Sequence, residues 1–183
     1  MISEELPYSV PYRVAELASR KPTRFTQTPD AAALVRIATS IGIVSVNDLV
    51  MRGEIRPLGR NDWALDAQIS ATVTQDCVVT LAPVSTAVSE PVQRRYLSDI
   101  AEPVGEETET PEDDTVEALT DVIDVGAVML EALALALPLY PRAKDAELGT
   151  AIFTEPGAEP LTDEALRPFA GLADLMKQTP DTE

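Results

Sequence analysis

Trp63-Ala64-Leu65-Asp66-Ala67-Gln68-Ile69-Ser70-Ala71-Thr72-Val73-Thr74 is the stretch on which the fold turns. Its odd positions are all apolar: Trp63, Leu65, Ala67, Ile69, Ala71 and Val73. Its even positions beyond Ala64 are Asp66, Gln68, Ser70, Thr72 and Thr74. A period of two held over this length predicts a long β-strand with one face on a core and the other in water. Just upstream, Gly59-Arg60-Asn61-Asp62 has turn composition, and Val44 to Pro57 reads as a second strand whose phase slips near Gly53, which predicts a bulge there. Downstream, Val84, Thr86, Val88 and Val92 mark a third strand, and Pro91 favours a sheet edge for its end. Three long strands in succession imply an antiparallel meander.

Farther out on the N-terminal side, Tyr12 to Leu17 and Arg24 to Thr28 read as short strands around the basic turn Ser19-Arg20-Lys21-Pro22. Asp30 follows Pro29 as the N-cap of a helix. Leu34, Ile37, Ala38 and Ile41 stand at i, i+3, i+4 and i+7, and Gly42 sits where a left-handed terminating residue is wanted. On the C-terminal side, residues 101-117 carry eight acids, no bases and two prolines, too little apolar surface to offset ordering entropy, so a flexible linker is expected. Ala127 to Leu137 then reads as a helix apolar almost all round, with Glu131 inside it and Pro138 and Pro141 ending it. Such a helix must be covered by the sheet or by another protein. The Pro-rich tail 143-183 holds one more amphipathic piece, Phe169, Leu172, Ala173 and Met176. The organisation expected is therefore a sheet domain over 1-100, a linker over 101-117, a helix completing the core over 118-142, and the tail. The fold class is α+β, an antiparallel sheet with two main helices and an acidic, partly disordered C-terminal region.

Composition excludes several chemistries. The 183 residues include no histidine and one cysteine, which removes His-based triads, His-ligated metals and any internal disulfide. No Gly-x-x-x-x-Gly-Lys, Gly-x-Gly-x-x-Gly, Gly-x-Ser-x-Gly or Ser-x-x-Lys frames a phosphate or a nucleophile. Neither catalytic residues, a metal nor a cofactor is expected. Cys77 has no base or cation beside it in sequence and reads as an inert half-buried thiol. The start, Met-Ile-Ser-Glu-Glu-Leu-Pro, has no basic or apolar run of a secretory signal, and Val125 to Leu137 falls short of the roughly 20 residues that cross a bilayer. A cytoplasmic location is expected, with no membrane partner.

The charge of −17 is unevenly placed. Residues 1-100 carry 10 bases and 11 acids, whereas residues 101-183 carry 4 and 20. Acidity in the second half repels polyanions and attracts basic proteins. Nine of the ten bases in the first half are arginines. Candidate RNA contacts are Arg20, Lys21, Arg24, Arg52, Arg56, Arg60, Arg94 and Arg95, with solvated strand and loop charges as the alternative reading. No DNA partner is expected.

Several segments together resemble a known family. They are Gln75-Asp76-Cys77-Val78-Val79-Thr80-Leu81 after the long strand, then Asp124-Val125-Gly126 through Glu131 to Leu137-Pro138-Leu139-Tyr140-Pro141-Arg142, and finally Arg167-Pro168-Phe169-Ala170-Gly171-Leu172-Ala173-Asp174-Leu175. Across nearly the whole chain this resembles the YceD family, the large ribosomal RNA subunit accumulation proteins. The resemblance implies a bacterial or organellar, non-enzymatic factor for synthesis, processing or stability of 23S rRNA. Its partners would be ribosomal RNA, a pre-ribosomal particle, or a basic ribosomal or processing protein. It also marks Asp124, Gly126, Glu131, Pro138, Pro141, Arg142, Phe169 and Leu172 as motif or partner-binding positions. Many members carry Cys-x-x-Cys after the long strand; Cys77 and Thr80 stand at the matching positions here, so no metal or redox role is carried over from that pair.

Overall fold

The computed structural model describes residues 6–99 and 115–147. In chain order its elements are β1 (Pro11–Arg13), a 3-10 turn (Val14–Glu16), β2 (Thr23–Gln27), α1 (Ala31–Ser40), β3 (Ser45–Leu58), β4 (Asp62–Asp76), β5 (Pro83–Leu97), β6 (Val116–Ala118), β7 (Val122–Asp124) and α2 (Val125–Leu135). Strands β2 to β5 are antiparallel neighbours in a sheet ordered β2-β3-β4-β5-β6, so the meander and the α+β class hold. Residues Met1–Ala146 form one compact unit.

Helix α1 forms as its signals dictate. The Asp30 carboxylate accepts from the Ala33 amide at 2.7 Å, and Gly42 takes a φ of 70° at the exit. The inward residues of β3, β4 and β5 (Met51, Ile55, Trp63, Leu65, Ile69, Val73, Val88, Val92 and Tyr96) share one buried cluster with Ile37 and Ala38 of α1 and Val125, Val128, Met129, Ala132 and Leu133 of α2. Both helices therefore cover the same face of the sheet. Burial of this apolar surface is the main favourable term, at about 1.5–3 kcal/mol per large side chain.

Four details differ from the reading of the sequence. Tyr12 to Leu17 is not one strand. Extended backbone ends at Arg13, where the Val14 amide donates to the Asp121 carbonyl and the Leu17 amide turns back to Val14. What remains, β1, pairs with β7 in a separate two-stranded sheet. The slip in β3 lies between Asn47 and Val50 rather than at Gly53. Asp48 takes a φ of 52° there and the extra residue brings Leu49 into the core. Gly53 keeps the inward phase and is small for another reason: a Cβ on it would lie 2.5 Å from that of Ala67 on β4. Helix α2 starts at Val125, two residues before Ala127, because Asp124 caps it, and it ends at Leu135 ahead of Pro138. Finally, Val116–Ala118, at the end of the acidic stretch, forms β6 parallel to Arg95–Leu97, with Glu117 ion-paired to Arg94.

Beyond β6, no strand among the described residues pairs with the outer edge of β5. The Arg95 amide donates to Thr115 and the Leu97 carbonyl accepts from Leu119, so odd-numbered residues of β5 direct their main-chain groups outward. Main-chain groups alternate along a strand, and the β4–β5 register is unbroken, so Pro83 and Pro91 share this parity. Their missing N–H groups cost the β4 ladder nothing. Among the described residues no helix is long and apolar enough to cross a membrane.

Candidate nucleic-acid interface

The face of the sheet away from the helices is built by the other phase of each strand. Register places Arg24, Glu54, Asp66 and Gln93 in one cross-strand row, Thr26, Arg52, Gln68 and Pro91 in the next, and Arg56, Ala64 and Arg95 on the opposite side of the first. Farther along β4 and β5 come Ser70 with Ser89, Thr72 with Ala87, and Thr74 with Ser85. Ala64, between Arg56 and Arg95 in the register, is only 3% exposed. A depression of about 290 Å³ beside it is lined by Arg56, Asp66, Gln93 and Arg95 among others.

Arg60 lies in the β3–β4 turn, and Arg20 and Lys21 lie just ahead of β2, whose first residue Thr23 pairs with Ile55. These three therefore belong to the same end of the sheet as Arg56 and Arg95. Asp62 fixes that end: its carboxylate accepts from the amide and hydroxyl of Ser98, both at 2.8 Å, and these bonds, the amide first, hold it below the usual carboxylate range. Of the carboxylates on this face, Asp62 and Asp76 stand at the two ends of β4 and two others pair with arginines. Glu54 lies 3.4 Å from Arg24, and Asp66 lies 2.8 Å from Arg56. Such exposed pairs bind weakly and exchange readily for another anion.

Arg94 goes elsewhere. It pairs with Leu65 on the helix-covered face, is 14% exposed at its side chain, and bonds Glu117 at 3.0 Å and Glu131 at 2.8 Å. It ties β5, β6 and α2 together, and Glu131 is its partner rather than a buried free acid.

The Asp124-x-Gly126 motif is a clasp. The Asp124 carboxylate accepts from the Gly126 and Ala127 amides that open α2, from the Val10 amide at 2.8 Å and from the Ser9 hydroxyl. Gly126 lets the chain at Tyr8–Val10 pass against the helix: a Cβ there would lie 2.8 Å from Ser9 Cα and Val10 N. A capping signal in Asp-Val-Gly before an apolar run could have identified this from the sequence.

Pro138 and Pro141 lend their carbonyls to the other end of the sheet, accepting from the Gln75 side chain at 3.3 Å and the Val78 amide at 3.0 Å. Arg142 is exposed. This leaves Val78, Leu81, Leu139 and Tyr140 at 49%, 76%, 86% and 79% exposure around the junction. Phe169 and Leu172, with Ala173 and Met176, lie outside the described residues.

Cys77 is fully rather than half-buried. Its sulfur accepts from the amides of Val79, Thr80 and Ala143 at 3.3 to 3.5 Å. The Ala143 amide first, then the Thr80 side chain, pull the thiol from an ordinary 9.0 down to about 6. Because the folded value lies below the unfolded one, stability should rise with pH between about 6 and 9 and be lost as pH falls through 6. Ultraviolet titration of the native thiolate should give a midpoint near 6, and Cys77→Ser should flatten the pH dependence of urea unfolding in that window. A midpoint near 9 would show that these amides do not hold a thiolate.

A search of curated proteins found no match, nor did a search of solved structures. A family model described as "Large ribosomal RNA subunit accumulation protein YceD" matches residues 65–176, from near the start of β4 through the acidic stretch, the Asp124–Gly126 clasp and α2 into the tail. That span exceeds half of the 183 residues, and its start coincides with the strand that organises the sheet. The chain belongs to the YceD family, the large ribosomal RNA subunit accumulation proteins.

Proposed function

We propose that this chain supports accumulation of 23S rRNA by binding that RNA, or a pre-ribosomal particle containing it, rather than by catalysis, and that the open face of the sheet is the contact surface. The observation behind this reading is the gathering of Arg20, Lys21, Arg24, Arg52, Arg56, Arg60 and Arg95 on one face and end of a protein whose net charge is −17. These arginines stand close together on one sheet face, although the chain as a whole is strongly acidic. Phosphates neutralised by arginine release counterions, which makes such binding steeply salt-dependent.

The test uses the full chain and a 23S rRNA fragment. Relative to wild type, Arg24→Gln/Arg52→Gln/Arg60→Gln should weaken binding at least about tenfold at low salt and reduce the slope of log affinity against log salt by about 2–3. Arg94→Gln should lower stability and leave the slope unchanged. Equal affinities for wild type and the triple variant would remove the sheet face from consideration.

A second reading, an acidic adaptor that holds a basic ribosomal or processing protein without touching RNA, draws on the exposed Val78, Leu81, Leu139 and Tyr140. Recovery of a basic protein from nuclease-treated extract, lost in Leu139→Ser/Tyr140→Ser, would favour it.

A further inference from the structure

We infer that the RNA recognised by the open sheet face is base-paired, held through phosphates and 2′-hydroxyls without reading the bases; this rests on the rRNA-binding reading above. Single-stranded RNA is recognised by splaying its bases onto aromatic rings, whereas duplex RNA offers a wide, shallow minor groove lined by 2′-hydroxyls and flanked by phosphates. The face fits the second description.

Among the described residues it carries no aromatic side chain. Phe25, Trp63 and Tyr96 are 7%, 7% and 5% exposed and point into the helix-covered core, and Tyr8 and Tyr12 pack against that core. Tyr140 is exposed, but it sits by Val78 beyond the far end of the 15-residue β4, roughly 45 Å of strand away from the Arg60 turn. The depression between Arg56 and Arg95 is walled by guanidinium, carboxylate and amide groups and offers no ring for a base to stack on.

What the face does present is a spread of cations and hydroxyls. Arg56 and Arg95 flank Ala64 across two strand spacings, about 10 Å, and Arg52 lies four residues from Arg56 along β3, about 13 Å. Beyond the arginines the same phase gives Gln68, Ser70, Thr72, Thr74, Ser85 and Ser89, groups that donate and accept single hydrogen bonds. A hydroxyl answers a 2′-hydroxyl in either sense, and the hydroxyls among these side chains cannot make the bidentate fork by which an Asn, Gln or Arg tells one base from another. Of the two glutamines on this face, Gln68 donates to the Ser89 hydroxyl at 3.1 Å and Gln93 stands in the row of Arg24. Cations at groove-scale separations with hydroxyls beside them describe a surface for a double helix.

Full-length protein is titrated by fluorescence anisotropy, at one moderate salt concentration, against a mixed-sequence RNA duplex, the DNA duplex of the same sequence, a second RNA duplex of scrambled sequence, and an unstructured oligouridine with the same number of phosphates. The expected order is the two RNA duplexes equal to each other and about tenfold or more tighter than oligouridine, with the DNA duplex weaker than either RNA duplex. Ser70→Val/Ser89→Val should narrow the gap between RNA and DNA duplexes without changing the salt slope. Oligouridine binding as tightly as the duplexes, or a strong preference between the two duplex sequences, would overturn the duplex inference and leave the rRNA-binding reading standing. Absence of binding to every probe would overturn both, and capture of a basic protein in their place would transfer the case to the adaptor reading.

Discussion

Asp124→Ala is expected to lower the free energy of unfolding by about 2–4 kcal/mol, read from urea titration of the full chain. One carboxylate there caps α2 through two amides and also receives the Val10 amide and the Ser9 hydroxyl. Losing an N-cap alone costs about 1 kcal/mol, and the Val10 amide then loses its acceptor in a part-buried position. Gly126→Val attacks the same clasp by volume instead of by hydrogen bonding. The atoms in its way are backbone at Tyr8, Ser9 and Val10, which cannot rotate aside, so the N-terminal segment must lift off the helix. Asp124→Asn should recover part of the loss, since an amide oxygen still caps. A change below about 0.5 kcal/mol in Asp124→Ala would mean that the clasp does not hold the N-terminal segment.

The larger effect is expected from truncation. A chain ended at residue 114 lacks Ile123, Val125, Met129 and Leu133, each 2% exposed or less. Four such side chains are worth about 6–12 kcal/mol of burial, comparable with the whole stability of a typical domain at about 5–15 kcal/mol. The sheet would then show its apolar face to water. Circular dichroism of such a fragment should lack a cooperative thermal transition. A chain ended at residue 147 should keep one, because Met1–Ala146 is a compact unit. A cooperative transition in the shorter fragment would show that the meander and α1 are stable without α2.

Local chemistry made much of this legible in the sequence. The Asp30 cap, the i, i+3, i+4, i+7 stripe and Gly42 define α1, and the alternation from Trp63 to Thr74 defines β4, because each signal lies within one element. Elements whose reason is distant were hidden. Strand β1 is a strand because of β7, more than a hundred residues later, and no feature of Pro11–Arg13 announces that. Strand β6 is a short acidic stretch that makes sense only beside Arg94. The separation of Arg94 from Arg95 is written in the parity of their strand. In β5 the apolar Val88, Val92 and Tyr96 are even-numbered, so parity alone sends Arg94 to the covered face and Arg95 to the open one. The register slip is hidden for a related reason: Gly53 resembles a bulge glycine, whereas the positive φ falls on Asp48.

The two prolines of β5 have a consequence for self-association. A long flat outer strand is a template on which identical chains polymerise edge to edge, and the edge from Pro83 to about Gln93, unpaired among the described residues, is such a template by length. Pro83 and Pro91 withhold the first and fifth of the outward donors and leave those of Ser85, Ala87 and Ser89 between them. Three consecutive donors hemmed by two pyrrolidine rings cannot extend a ladder into a growing fibre. Pro91→Val, which would fit the β4 register without a lost bond, should therefore leave folding intact and raise light scattering over days in concentrated solution; unchanged scattering would place the protection elsewhere on the edge, with Glu90 the next residue to neutralise.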